Sequence, residues 1–206
     1  MQERRWNVLA KVDLGVYDRK CDGDGVTHAS RLGALQEDAK TIGAVAGMKK
    51  RVYVETSVVS YFAAQPSRDL MIAGHQEATR ELWPRLGVNY EPYISALVYQ
   101  EAGKGDPGQA QRRLGAIGSF RMLAIDDEAR TLAQKIIEGG GVPAERPEDA
   151  LHVAVAAANG IDVIVTWNFA HLNNPFTRMI VRQIIENEGY QCPEICSPDE
   201  LLEADQ

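Results

Sequence analysis

Beginning near Met48, short β-branched or aromatic runs alternate with longer segments of helical periodicity, and this alternation restricts the possible folds more than any other feature. "RVYV" from Arg51, "PYIS" from Pro92, "RMLAI" from Arg121 and "DVIVT" from Asp162 read as strands. The apolar centre of "DVIVT" is uninterrupted, as in a strand buried on both faces. Between the runs lie helix signals. Ser67 is an N-cap for "SRDLMIAGHQEATRELW", and Ser95 can cap "SALVYQEAGK". Pro107 opens one helix and Pro147 sits in the first turn of "PEDALHVAVAAANG". "DDEARTLAQKIIEGGG" is a helix stopped by glycines, and "TRMIVRQIIENEG" is a further helix. "CPEICS" is followed by "SPDELLEA", where Ser197 and Glu200 form a capping box with Pro198 at the first helical position. Such alternation implies an α/β sandwich, with a central, mainly parallel sheet of four to five strands flanked by helices.

Residues 1–47 have a different character, with scattered charges around the Gly/Asp-rich "CDGDGVTHAS". Their basic and acidic residues balance, so residues 48–206 carry the whole net charge of −7. The compact domain is expected to span residues 48–206, with 1–47 as an N-terminal extension or the product of an upstream start codon. An acidic chain does not hold a polyanion by bulk attraction. A nuclease remains open, because divalent cations reverse the local sign where carboxylates cluster. No apolar stretch approaches the roughly 18 residues of a spanning helix, and no apolar signal core follows the first basic residues, so the expectation is a cytoplasmic protein without a membrane partner. Three cysteines (Cys21, Cys192 and Cys196) are too few for a disulfide framework, and the C-x3-C pair lacks the further ligands of a zinc site.

In parallel α/β folds, ligands bind beyond the carboxyl ends of the strands. Glu55 ends the first strand. Thr166, Trp167, Asn168 and His171 follow "DVIV", Asp149 lies in the first turn of the preceding helix, and Glu101 lies in the helix after "PYIS". Singly, each has a plain structural explanation. Glu55 and Asp149 suit helix starts, Glu101 suits a solvent face, Asn168 suits a turn, and His152 suits a packed core. Together, three acids on separate elements are expected to meet at one end of a sheet, which would supply the oxygen-rich chemistry that Mg²⁺ or Mn²⁺ requires. Neither a G-x-x-x-x-G-K-[ST] loop nor a G-x-G-x-x-G turn after the first strand is present.

"VYVETSVVSYF", "SALVYQEAGKGDP", "EDALHVAVAAANGIDVIVTWNFAHL" and "ICSPDELL" resemble the PIN-domain family, and most of all its VapC-type toxins from toxin–antitoxin pairs. The resemblance covers residues 48–202. It implies a PIN-like three-layer sandwich and a metal-dependent endoribonuclease with Mg²⁺ or Mn²⁺ as cofactor. The family's carboxylates fall on Glu55, Glu101 and Asp149, and its fourth acidic position on Asn168. Glu55 is longer than the usual Asp, and Asn168 keeps an oxygen but loses a charge, which implies weaker binding of a second cation. Thr56, Ser57 and Thr166 are candidates to fix the carboxylates, and His171 to touch a phosphate or water. Candidate RNA contacts are Arg68, Lys104, Arg112, Arg113 and Arg178, although a solvated helix face is the simpler explanation for them. Tyr61 and Trp167 either stack on bases or pack. The resemblance also implies an RNA substrate, a cognate antitoxin whose arginine enters the acidic pocket, and a homodimer, with apolar residues of "ATRELW" as an interface. The alternative is a non-catalytic PIN-like module that binds RNA or protein.

Overall fold

In a computed structural model, which describes residues 49–204, the alternation becomes β1 (Lys50–Val54), α1 (Thr56–Ala63), α2 (Leu70–Asn89), β2 (Tyr90–Ser95), α3 (Ala96–Ala102), α4 (Pro107–Ile117), β3 (Arg121–Leu123), α5 (Asp127–Glu138), α6 (Pro147–Ala158), β4 (Val163–Val165), α7 (Pro175–Asn187), β5 (Glu194–Cys196) and α8 (Pro198–Ala204). The expectations for residues 1–47, and Cys21 with them, lie outside the described residues. The strands form one five-stranded sheet in the order β3-β2-β1-β4-β5, and every pairing is parallel.

Parallel neighbours require helical crossovers, and right-handed crossovers decide which face each helix covers. From β1 the chain steps outward through β2 to β3, then returns across the sheet to β4 and β5. The reversal places α1–α4 on one face and α5–α7 on the other. Helix packing agrees, since α1 touches α2, α3 and α4, whereas α5 packs on α6 and α7, and the final helix α8 joins the first layer against α2. The central strands are apolar because both faces are covered. Val52, Tyr53, Val54, Ile164 and Val165 are fully buried. Helix α6 is buried along Ala150–Ala157 and reads as apolar all round, as a helix enclosed by neighbours must. Arg51 closes its far end, donating from Nη1 to the carbonyls of Asn159 at 2.7 Å and Gly160 at 3.1 Å, with the guanidinium 4.7 Å from the centre of the Tyr93 ring.

Several local expectations shift. Asp69, not Ser67, caps α2, its carboxylate accepting from Met71 N at 2.9 Å and Ile72 N at 3.0 Å, while Ser67 Oγ accepts from Asp69 N. Helix α2 continues through Pro84 to Asn89. Leu82 and Leu86, one turn apart on either side of that proline, are both fully buried, so packing outweighs the broken hydrogen bond. Ser95 occupies the N-cap position of α3 but makes no capping bond, because its hydroxyl serves Tyr53. The Ser197–Glu200 capping box forms as expected, with Ser197 N donating to Glu200 Oε2 at 2.7 Å. The "ATRELW" segment is not an apolar surface, since Leu82 is fully buried and Trp83 stacks on Phe62. The large exposed apolar side chains of α2 are instead Leu70, Met71 and Ile72 in its first turn and Val88 near its end. Cys192 and Cys196 are buried free thiols whose pKa values burial raises to about 11 and about 12. No helix among the described residues is long and apolar enough to cross a membrane.

Candidate metal centre

The strand order creates the site. Because β1 pairs with β4, the two central strands end side by side, and Glu55 N donates to Val165 O at 3.1 Å just past their last pair. Glu55 is also the N-cap of α1. Its Oε2 accepts from Ser57 N at 3.0 Å, from the Ser57 hydroxyl, and from Thr166 Oγ1 at 2.8 Å. The capping and site readings of Glu55 are therefore compatible, since one oxygen closes the helix start and the other makes no hydrogen bond among the described residues. The carboxylate is only 6% exposed, a burial tolerable because charge-assisted donors surround it.

Glu101 reaches the same place from the last turn of α3. Its Oε2 accepts from the Thr56 hydroxyl and from His152 Nε2 at 3.1 Å. Burial pushes its pKa up, but the His152 hydrogen bond and charge, the Thr56 hydroxyl and the Lys104 charge outweigh burial and hold it below the ordinary carboxylate value. Asp149 enters from the first turn of α6, where Asn168 Nδ2 donates to its Oδ1 at 3.0 Å. Burial raises its pKa. Glu55 repels its charge as well, and His152, Asn168 and His171 offset this only in part. His152 is 1% exposed, and burial alone would depress its pKa. The Glu101 hydrogen bond and the three negative side chains around it reverse that and raise it.

Glu55, Glu101 and His152 each offer a ligand atom within 4.8 Å of the others. Each of the three carboxylates commits one oxygen to protein donors and leaves the second without a hydrogen bond among the described residues.

Asn168 behaves differently from its sequence expectation as an oxygen ligand. Its Oδ1 accepts from His171 N at 3.1 Å, and its amide nitrogen faces Asp149, so it braces that carboxylate. An acid at this position would repel Asp149, whereas the amide pairs with it. His171 contributes its backbone to the turn, and its side-chain charge is felt at Asp149. Thr56, Ser57 and Thr166 each donate to a site carboxylate.

The basic candidates separate. Lys104, Arg68 and Arg112 are exposed. Arg113 is not a free cation, because Nε donates to Ala102 O at 2.8 Å and its guanidinium also holds Lys104 O, clamping the α3–α4 turn. Arg178 donates to Ile195 O at 3.0 Å. Trp167 is buried, donates to Thr79 Oγ1 at 2.8 Å and stacks on His75 at 4.0 Å, so it packs. Tyr61 stands edge-on to both His75 and Trp167. The exposed aromatic beside the site is Phe169, at 45%. Nothing in the sequence singled it out. His152, one helical turn beyond Asp149, is packed as its sequence position suggests and also bonds Glu101.

The sequence profile of the PIN domain matches residues 52–171, more than half of the chain. A search of curated proteins finds no match. Among solved structures, one described as VapBC2 from Rickettsia felis bound to a DNA fragment from their promoter is similar at 16% identity and a TM-score of 0.46, over 71% of this chain and 97% of that one. The profile match takes in Glu55, Glu101, Asp149 and Asn168 together with the strands that bring them to one edge, and on that ground the chain belongs to the PIN-domain family.

Proposed function

We propose that this protein is a divalent-cation-dependent endoribonuclease and the toxin of a toxin–antitoxin pair. The observation that carries the reading is the meeting of Glu55 and Glu101 within 4.8 Å of each other and of His152, with Asp149 close enough to feel the Glu55 charge, and each carboxylate held through one oxygen. The donor set fits a hard cation. Carboxylate oxygens within 4.8 Å of each other repel, and an ion held by both would turn repulsion into attraction. Glu55, Glu101 and Asp149 would hold Mg²⁺ or Mn²⁺. When bound, such an ion supplies Lewis acidity and offsets the negative charge of a phosphodiester.

The chain's own part is positioning. Ser57 and Thr166 fix Glu55, Thr56 and His152 fix Glu101, and Asn168 fixes Asp149, so the free oxygens are set before substrate arrives. Lys104, whose charge already reaches Glu101, is the best placed cation for the RNA backbone, and Arg68 and Arg112 are also exposed. The turn of Asn168 toward Asp149 removes an oxygen from the ligand set and favours one tightly held cation over two. An antitoxin arginine would pair with the same carboxylates and block the site. The protein is proposed to work as a cytoplasmic homodimer.

The test is cleavage of RNA by the purified full chain, with and without Mg²⁺ or Mn²⁺, beside Asp149→Asn. Cleavage that needs the metal and falls about 100-fold or more in the variant supports the proposal. Equal activity in both proteins rejects it. The Asn168–Asp149 bond is also what a non-catalytic binding module would retain, and RNA binding without metal-dependent cleavage favours that second reading.

A further inference from the structure

A chain of buried hydrogen bonds stands behind Glu101. Ser95 Oγ lies 2.7 Å from Tyr53 Oη, Tyr53 Oη lies 2.8 Å from His152 Nδ1, and His152 Nε2 lies 3.1 Å from Glu101 Oε2. Every member except Glu101 is buried. An ionised carboxylate only accepts, so Nε2 carries a proton. Tyr53 Oη holds Nδ1 and Ser95 Oγ holds Tyr53, so the chain fixes the ring behind Glu101 whichever proton state the ring takes. Burial keeps the Tyr53 pKa well above its ordinary value, so that hydroxyl retains its proton.

We infer that His152, held by Tyr53 and Ser95, is a positioning residue that aims the Glu101 carboxylate at the cation and thereby sets the affinity of the site. The inference rests on the reading of Glu101 as a ligand. Glu101 sits near the end of a seven-residue helix and has three side-chain torsions, so little in its own element fixes it. The imidazole is rigid, packed against the Tyr53 ring with centroids 5.8 Å apart. Tyr53 lies on β1 two residues before Glu55, which follows the strand with an extended backbone. His152 is three residues after Asp149 on α6. The relay thus ties Glu101 to the two elements that carry the other carboxylates and fixes the spacing of all three. Partners that orient ligating groups typically govern metal affinity about 10- to 100-fold.

The experiment is calorimetric titration of the full chain with Mn²⁺ alone, together with the dependence of RNA cleavage on Mn²⁺ concentration. Wild type, His152→Leu, His152→Gln and Tyr53→Phe are compared. The expected result is an Mn²⁺ affinity about 10-fold or more weaker in His152→Leu, an intermediate loss in Tyr53→Phe, and recovery in His152→Gln, whose amide can donate to Glu101. The apparent KM for Mn²⁺ should rise while kcat at saturating Mn²⁺ is retained. A His152→Leu protein that binds Mn²⁺ as tightly as wild type, or a Gln variant with no recovery, overturns the inference and leaves the nuclease reading standing. If His152→Leu does not fold, the near-isosteric Tyr53→Phe decides. Lower thermal stability with unchanged Mn²⁺ affinity shows a purely structural relay. Wild-type protein that takes up no Mn²⁺ overturns the metal reading of the site, and this inference with it.

Discussion

Glu101→Gln separates a metal-binding carboxylate from a structural one. The substitution keeps the shape and an acceptor oxygen for Thr56 and His152, and it removes one of two charges whose oxygens lie within 4.8 Å. Against burial, the folded protein holds the Glu101 pKa below its ordinary value, chiefly through His152 with help from Thr56 and Lys104, so the metal-free fold favours the charge. Two hydrogen bonds lose an ionised acceptor in the variant, weakening by about 1 kcal/mol each. The metal-free variant should therefore be less stable by up to about 2 kcal/mol, or about 4–8 °C in Tm for a domain of this size. With Mn²⁺ at about one hundred times its Kd, wild type gains about 2.7 kcal/mol, and the variant gains much less. The gap in stability should therefore widen on adding metal, read by thermal unfolding of both proteins with EDTA and with Mn²⁺. Equal metal-induced shifts would refute Glu101 as a ligand. A metal-free variant more stable than wild type would show instead that repulsion from Glu55 outweighs the hydrogen bonds from His152 and Thr56.

Other consequences are more local. Asp149→Asn should abolish metal-dependent cleavage while leaving the metal-free fold at least as stable as wild type at neutral pH, because burial and Glu55 already disfavour its charge; urea unfolding checks the second half. Arg51→Met removes the donor to Asn159 and Gly160 at the end of α6 and should cost about 1–3 kcal/mol in urea unfolding, the range for a charge-assisted hydrogen bond. Glu200 gives a pH signature. Partial burial would raise its pKa, but Ser197 through amide and hydroxyl, then Asn173 and Arg178, hold it below the ordinary carboxylate value. A depressed acid contributes stability above its unfolded pKa and loses it as pH falls through the folded one. Glu200→Gln should therefore lower stability at pH 7, with the deficit closing as pH falls below about 4.5 so that the variant's acid limb is flatter; parallel acid limbs in the two proteins would contradict this.

The fold was legible because its signals are local. Apolar runs of strand length, helical periodicity and turn residues between Arg51 and Ala204 depend on near neighbours, and their alternation admits little except a parallel sheet between helices. Helix starts were legible where a proline or a capping box stood alone, as at Pro107, Pro147 and Ser197. They failed where a stronger partner competed, with Asp69 displacing Ser67 and Tyr53 claiming Ser95. The polar residues at strand ends could be named from sequence, because an acid that interrupts apolar runs is conspicuous one residue at a time.

By itself, then, the sequence determined the elements, the parallel sheet and the set of carboxylates at its edge. Strand order, which puts β1 beside β4 and so Glu55 beside Thr166, was a tertiary decision, since each strand is apolar enough to pair with any other. So was the choice of which oxygen stays uncommitted, the turn of the Asn168 amide toward Asp149 and the diversion of Arg113 to backbone carbonyls. His152 shows the reason most clearly. In sequence it is one helical turn from Asp149 and could pack anywhere. Only when strand, helix and helix are brought within hydrogen-bond reach does its ring acquire Tyr53 on one side and Glu101 on the other. Hydrogen bonds act over about 3 Å, and contacts of that range between residues far apart in the chain exist only once it has folded.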